Sequence, residues 1–239
     1  ILSKIKTHNY LTYGFNKRSN YQITNVRKKN KLSIFDLQIN FPSIRLKKIK
    51  NIVINLIGDH NITNTTASIA IALNLGIKID IIKKALIKFL GIQRRFTKVF
   101  EIGKKEFYDD YAHHPTEIQA VIKSARQVYI KRKIICVFQP HRYSRVKFLK
   151  KEFASSFKDS DEVVLCPVYS AGEKNKYKFN QENFSKLISE KSKIQVINIK
   201  NKVDLKKYIN KNLIDDELII CMGAGSISNW IREIGEEIK

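Results

Sequence analysis

The chain has 239 residues, 43% of them hydrophobic, and 45 Lys and Arg against 22 Asp and Glu give it a formal charge of +23. That length suits one large domain or two small ones with a real core, and no apolar run approaches the roughly 20 residues needed to span a bilayer. The lysines are spread along the whole chain rather than gathered in a tract, which argues against nucleic-acid binding, although a field of this sign draws in small anions.

The opening Ile1-Leu2-Ser3-Lys4 has neither an initiator methionine nor the basic-then-apolar order of a secretory signal, so the sequence is expected to start inside a longer chain. Short β-like stretches follow over residues 10–15, 31–39 and 44–57, separated by polar clusters. The period then changes. Residues 60–75 carry small and apolar side chains at helical spacing and stop at Gly76, a C-cap candidate. A second helix is expected over 80–90, with Asp80 as N-cap and Gly91 as terminator.

Beyond Arg94-Arg95-Phe96 strands and helices alternate. The predicted strands cover 97–102, 106–109, 133–138, 162–167, 194–199 and 217–222. The predicted helices cover 115–129, 147–158, 180–190, 202–212 and 226–238, with Pro115 placed in a first turn where its missing N–H is harmless. The strand cores Ile-Ile-Cys-Val-Phe, Val-Val-Leu-Cys and Leu-Ile-Ile-Cys are continuous apolar runs, as in parallel strands covered on both faces. This pattern predicts a doubly wound α/β domain, with the boundary near Arg95. Cys136, Cys166 and Cys221 sit inside those runs without metal-ligand spacing, and read as buried small hydrophobes of a reducing compartment. No metal site is expected among these residues. The pairs Lys83-Lys84, Lys150-Lys151 and Lys206-Lys207 fall on amphipathic helices and read as solvated faces.

In a sheet of this kind ligands sit outside the carboxyl ends of the strands. Four polar clusters follow strand ends: 109–114, 139–145, 169–173 and 223–225. They should gather along one rim. Asp109-Asp110-Tyr111-Ala112-His113-His114 sets two carboxylates and two imidazoles close together, enough for acid/base work or a phosphate-adjacent site. The plain alternative is a polar loop whose aspartates bond backbone amides. Gln139-Pro140-His141-Arg142-Tyr143-Ser144-Arg145 brings a histidine and two arginines. If the chain is helical there, Arg142 and Arg145 share a face suited to a carboxylate or phosphate; otherwise they are surface arginines beside acids. His60-Asn61-Ile62-Thr63-Asn64 opens a helix with two amides on one face, and N-capping is the alternative use. Met222-Gly223-Ala224-Gly225-Ser226 could hold an anion at a helix start, or simply make a tight turn. No G-x-x-x-x-G-K-[ST] phosphate loop is present.

Taken together and in order, these clusters resemble the Mur ligase family. Gly58-Asp59-His60-Asn61-Ile62-Thr63-Asn64-Thr65-Thr66-Ala67 is similar to its asparagine-bearing helix, and Arg94-Arg95-Phe96 to the hinge arginine before its last domain. Residues 109–117, 138–145, 169–173 and 222–225 resemble its alanine-adding members. The resemblance implies an α/β fold in which 1–95 are the tail of a central P-loop ATPase-type domain and 96–239 a Rossmann-like C-terminal ligase domain.

The activity the resemblance implies is ATP-dependent ligation of L-alanine to UDP-N-acetylmuramate through an acyl phosphate, in the bacterial cytoplasm. The UDP-sugar domain, the phosphate loop and the Mg2+ ligands would lie outside these residues, so the chain by itself is expected to be inactive. By residue-wise comparison His60, Asn61 and Asn64 approach the adenine side of ATP. Arg95 and Asp110 complete the nucleotide site, with Arg95, Asp110 and His141 the catalytic candidates. His141, Arg142 and Arg145 hold substrate carboxylates, and His113 and His114 line the same cleft. Asp59 stands where the alanine-adding enzymes carry arginine. Two other readings stay open. One is a recycling ligase for UDP-N-acetylmuramate and a tripeptide. The other is a non-catalytic basic α/β binding module, against which stands the lack of any recognisable nucleic-acid-binding motif.

Overall fold

A computed structural model describes residues 10–29, 32–40, 47–214 and 216–238. The chain divides after Gly91 into two compact units, and Arg94-Arg95-Phe96 belong to the second.

In the first unit β1 (Tyr13–Gly14), β2 (Tyr21–Lys29), β3 (Leu32–Ile39) and β4 (Lys48–Ile54) form one sheet in that order, antiparallel except for the β1–β2 pair. Tyr21, Ile23, Phe35, Leu37, Ile52 and Ile54 face a core closed by Ile62 and Ile69 of α1 (Asp59–Asn74) and Ile82 of α2 (Ile79–Lys88). Strand β2 is absent from the predicted set. Its buried alternation ends at Ile23, a bulge follows at Asn25, and Arg27, Lys28 and Lys29 face solvent. The period-2 signal is therefore too short to register. Residues 31 and 44–46 of the predicted strands lie outside the described residues.

Helix α1 ends as expected. Gly76 has φ 80°, its N–H bonds Leu73 O at 3.0 Å, and Ile77 N–H bonds Ala72 O at 3.0 Å; these two bonds are the glycine-dependent Schellman closure. For α2 the expectation fails at both ends. Lys78 is the capping residue, Asp80 lies in the first turn, and the helix stops at Lys88, short of Gly91. A carboxylate in the first turn is favoured by the helix dipole whether or not it caps.

The second unit has a six-stranded sheet in the order β5-β6-β10-β7-β8-β9. The strands are β5 (Thr97–Ile102), β6 (Lys105–Asp110), β7 (Lys133–Phe138), β8 (Glu162–Leu165), β9 (Gln195–Asn198) and β10 (Glu217–Met222). All neighbours are parallel except β5, which pairs antiparallel with β6. Successive strand residues feed two cores: Ile134, Cys136, Phe138, Leu218, Ile220 and Met222 on one face, Ile135, Val137, Ile219 and Cys221 on the other. Burial on both faces is why these strands read as unbroken apolar runs. The first face is covered by α3 (Pro115–Val128), α4 (Tyr143–Phe148), α5 (Lys150–Ala154) and α6 (Gln181–Ser192), the second by α7 (Lys202–Asn212) and α8 (Ile227–Ile238). All three cysteines are buried and unpaired, and burial pushes the Cys136 thiol up to about 12.

The single helix predicted over 147–158 is two short ones, parted at Leu149 with φ −114° and ψ 26°. Leu149 packs against the first core. After Ala154 the hydroxyls of Ser155, Ser156 and Ser160 donate to the carbonyls of Lys151, Glu152 and Phe157. Such bonds offer the backbone an alternative to continuing the helix.

Candidate active site

Parallel strands end on a common edge, so the loops after β6, β7, β8 and β10 meet there, as their positions in the sequence predicted. Gly223 N–H bonds Asp110 O at 3.2 Å, Gln139 N–H bonds Met222 O at 2.9 Å, and Arg142 N–H bonds Tyr169 O at 2.9 Å. Gln139 is the internal brace. Its Nε2 donates to Ser226 Oγ at 3.0 Å and its Oε1 accepts from Ile227 N at 3.0 Å. A Cβ on Gly225 would lie 2.5 Å from Gln139 Oε1 and from the Tyr169 ring, and one on Gly223 2.8 Å from Gln139 O. Glycine is required here by close approach.

The imidazoles collect at the rim's centre. His141 stacks on Tyr169, with centroids 5.6 Å apart and an interplanar angle of 13°. His113 lies edge-on to His141 at 5.9 Å and to Tyr111 at 5.0 Å. Arg145 Nη1 and His141 Nδ1 are 3.3 Å apart; because a guanidinium only donates, Nδ1 accepts and the proton sits on Nε2. Burial, then the charges of Arg145, His113 and Arg142, hold the His141 pKa below the usual value, so the ring is neutral at neutral pH. His113 Nδ1 lies 2.8 Å from the Tyr111 carbonyl oxygen, which only accepts, so Nδ1 carries a proton.

Two readings take a more definite form. His114 is the cap of α3: its Nδ1 accepts from Thr116 N at 3.4 Å, while Glu117 Oε2 accepts from His113 N at 3.0 Å and His114 N at 3.1 Å. That capping box engages Nδ1 of His114, whose ring is otherwise exposed. Arg142 does not share a helical face with Arg145; it precedes α4 with φ 69° and is exposed. The acid beside it, Glu173, instead accepts from Ser144 N at 2.9 Å and Ser144 Oγ at 2.6 Å, bonds that hold its carboxyl below the usual range.

Asp110 is 2% exposed, and both its oxygens serve the backbone: Oδ2 accepts from Phe96 N at 2.8 Å and Oδ1 from Ala112 N at 2.7 Å. This is the plain polar-loop arrangement weighed in the sequence. Burial raises its pKa to about 6 against the pull of those two bonds and of Arg95. The carboxylate thereby ties the segment bearing Arg95 to the end of β6. Arg95 itself is exposed, its guanidinium 5.8 Å from the centre of the Tyr111 ring, on which Arg94 also packs at 4.7 Å.

In the first unit His60, Asn61 and Asn64 stand in the first two turns of α1. Neither asparagine caps the helix. Gly58, with φ 95°, is the capping residue; Asn61 Nδ2 donates to Ile57 O at 2.7 Å, and Asn64 is exposed. Asp59 pairs with Lys28 at 2.8 Å. Among the described residues no group of three His, Cys, Asp or Glu side chains is placed to hold a metal ion, and no helix is long and apolar enough to cross a membrane. The sequence reading missed Ser228 and Arg232, which reach Asp109 from α8 at 2.5 and 3.1 Å. More than a hundred residues separate the partners, and no local spacing marks them.

Residues 94–225, more than half of the chain, match the family described as Mur ligase, glutamate ligase domain. The chain belongs to the Mur ligase family. It is 47% identical over 238 residues to a UDP-N-acetylmuramate–L-alanine ligase of Pelagibacter ubique, a match covering 100% of the chain and 51% of that protein. A protein of the same name from Agrobacterium fabrum is 35% identical over 240 residues, again covering 100% and 51%. Among solved structures, the UDP-N-acetylmuramate–alanine ligase MurC of Thermotoga maritima superposes with a TM-score of 0.74 at 26% identity, covering 95% of this chain and 47% of that one. The chain spans about half the length of the curated relatives it matches.

Proposed function

We propose that this chain is part of a ligase that uses ATP to join L-alanine to UDP-N-acetylmuramate in the bacterial cytoplasm. The observation that carries this reading is the end-to-end match of the chain to proteins named for that reaction. On this reading the first unit, up to Gly91, finishes the ATP-binding domain and the second forms the amino-acid domain. The sugar's carboxylate takes the γ-phosphoryl group of ATP, releasing ADP. The alanine amine then attacks the acyl phosphate, phosphate leaves, and the amine gives up a proton.

Such chemistry depends on placement and neutralisation of negative charge. The rim fits that need. Arg95 and Arg142 are exposed cations, and Arg145 is bonded only to a neutral imidazole among the contacts above. The His141 Nε2–H and Arg145 would hold the alanine carboxylate, Arg142 adding charge. His113, whose Nδ1 donates to the Tyr111 carbonyl, would in its neutral form take the amine proton on Nε2. His60, Asn61, Asn64 and Arg95 are assigned to ATP, and Asp110 to holding Arg95's segment. Mg2+ would supply charge neutralisation at the phosphates, and its ligands would lie outside the described residues.

The test is ADP release by the full-length protein that carries this chain, with UDP-N-acetylmuramate present and alanine added or withheld. ADP release that does not depend on alanine would end the reading. If Arg145 binds the alanine carboxylate, Arg145→Met raises KM for alanine by about tenfold or more, with little change in KM for ATP. Equal changes in both would remove Arg145 from that role.

A further inference from the structure

We propose that Asp109 and Arg94 are positioning residues for the ligase reaction, acting through Arg95; the inference rests on the function proposed above. Asp109 is fully buried at the end of β6. Its Oδ2 takes bonds from Ser228 and Arg232 of α8 and lies 3.9 Å from Arg94 Nε. Two groups there are left unsatisfied: Asp109 Oδ1 has no donor, and Arg94 Nε, also buried, has no acceptor.

Leaving buried polar groups unpaired is costly, so the burial of one carboxylate does not by itself account for this gap. The guanidinium is instead drawn elsewhere. Arg94 Nη2 donates to Gly223 O at 2.8 Å and the group packs over the Tyr111 ring at 4.7 Å. The backbone is strained in the same place: Arg94 has φ 60° and Phe96 φ 51°, left-handed values at two non-glycine residues flanking Arg95. Strain of this kind persists only where the surroundings over-determine it, and it collects at working sites.

Each strained residue is gripped from the end of β6. Asp110 takes the N–H of Phe96 at 2.8 Å, Tyr111 N donates to Arg94 O at 2.7 Å, and Asp109 faces the Arg94 side chain. Three consecutive residues, Asp109-Asp110-Tyr111, thus set the course of the three consecutive residues 94–96. Asp109 has two arginine partners of different kinds. Arg232 ties it to α8, while Arg94 ties it to the backbone that presents Arg95.

That difference supplies the test. In the full-length protein, Arg94→Met and Arg232→Met each remove one cation from the same buried carboxylate. Arg94→Met is expected to lower kcat by on the order of tenfold or more, whereas Arg232→Met keeps it within about threefold. Amide exchange gives a second readout: the Phe96 and Tyr111 N–H groups exchange faster in Arg94→Met and unchanged in Arg232→Met. Equal effects of the two variants, or an unchanged kcat in Arg94→Met, overturn the proposal. Wild-type activity is measured first. If the wild type shows no alanine-dependent ADP release, the ligase reading falls, and the exchange comparison alone decides whether Arg94 holds the 94–96 segment.

Discussion

Replacing Asp110 by Asn isolates the balance between burial and hydrogen bonding at the end of β6. The carboxyl is 2% exposed, and burial raises its pKa from 3.8 to about 6 even though two backbone amides favour the charged form. That rise is worth about 3 kcal/mol. For an acid raised in the folded state, the stabilisation belongs to the neutral form. It is complete below pH 3.8 and is lost as the pH climbs through about 6. An Asn side chain does not titrate. Its single oxygen serves only one of the two amides, so the substitution carries a penalty of roughly 1–3 kcal/mol that is constant with pH.

The stability of Asp110→Asn relative to wild type should therefore rise by roughly 2 kcal/mol or a little more between pH 4 and pH 7. Titrating groups remote from Asp110 are shared and cancel in the difference. Urea unfolding followed by the fluorescence of Trp230 measures it, since this sole tryptophan sits on α8 and packs against the second unit's core. A difference that stays flat, or falls with pH, would mean that the two amide bonds outweigh burial and that the reasoning is wrong.

Two further substitutions test the packing. A Cβ on Gly235 of α8 would run into the Phe100 ring, which is itself stacked on Phe107 at 4.2 Å. Gly235→Ala should lower the thermal midpoint, because overpacking of about 1–3 kcal/mol exceeds the helix-propensity gain of about 1 kcal/mol; a raised midpoint on circular dichroism would refute this. Buried Glu162 is bonded by Tyr208 Oη and by Lys133 at 2.9 Å. Tyr208→Phe leaves it with the lysine alone and should cost roughly 1–3 kcal/mol in urea unfolding at neutral pH, whereas an unchanged midpoint would show that Lys133 suffices.

What the sequence determined by itself is the α/β alternation of the second unit and the edge where its polar clusters meet. Both follow from local rules: continuous apolar runs for strands covered on two faces, helical spacing between them, and the placement of loops after parallel strands. The first unit was less legible, since β2 turns its basic second half to solvent and shows too little alternation to register. Residue identity also left roles undecided where one side chain had several uses. His114 became a helix cap, Asp110 a backbone anchor, and Arg142 a left-handed residue ahead of α4. Only the tertiary structure could decide these, because the choice depends on which donors and acceptors arrive from distant elements. The plainest case is Asp109, whose partners Ser228 and Arg232 come from the last helix. A buried charge is compensated by whatever lies next to it in space, and local sequence spacing carries no record of that neighbour.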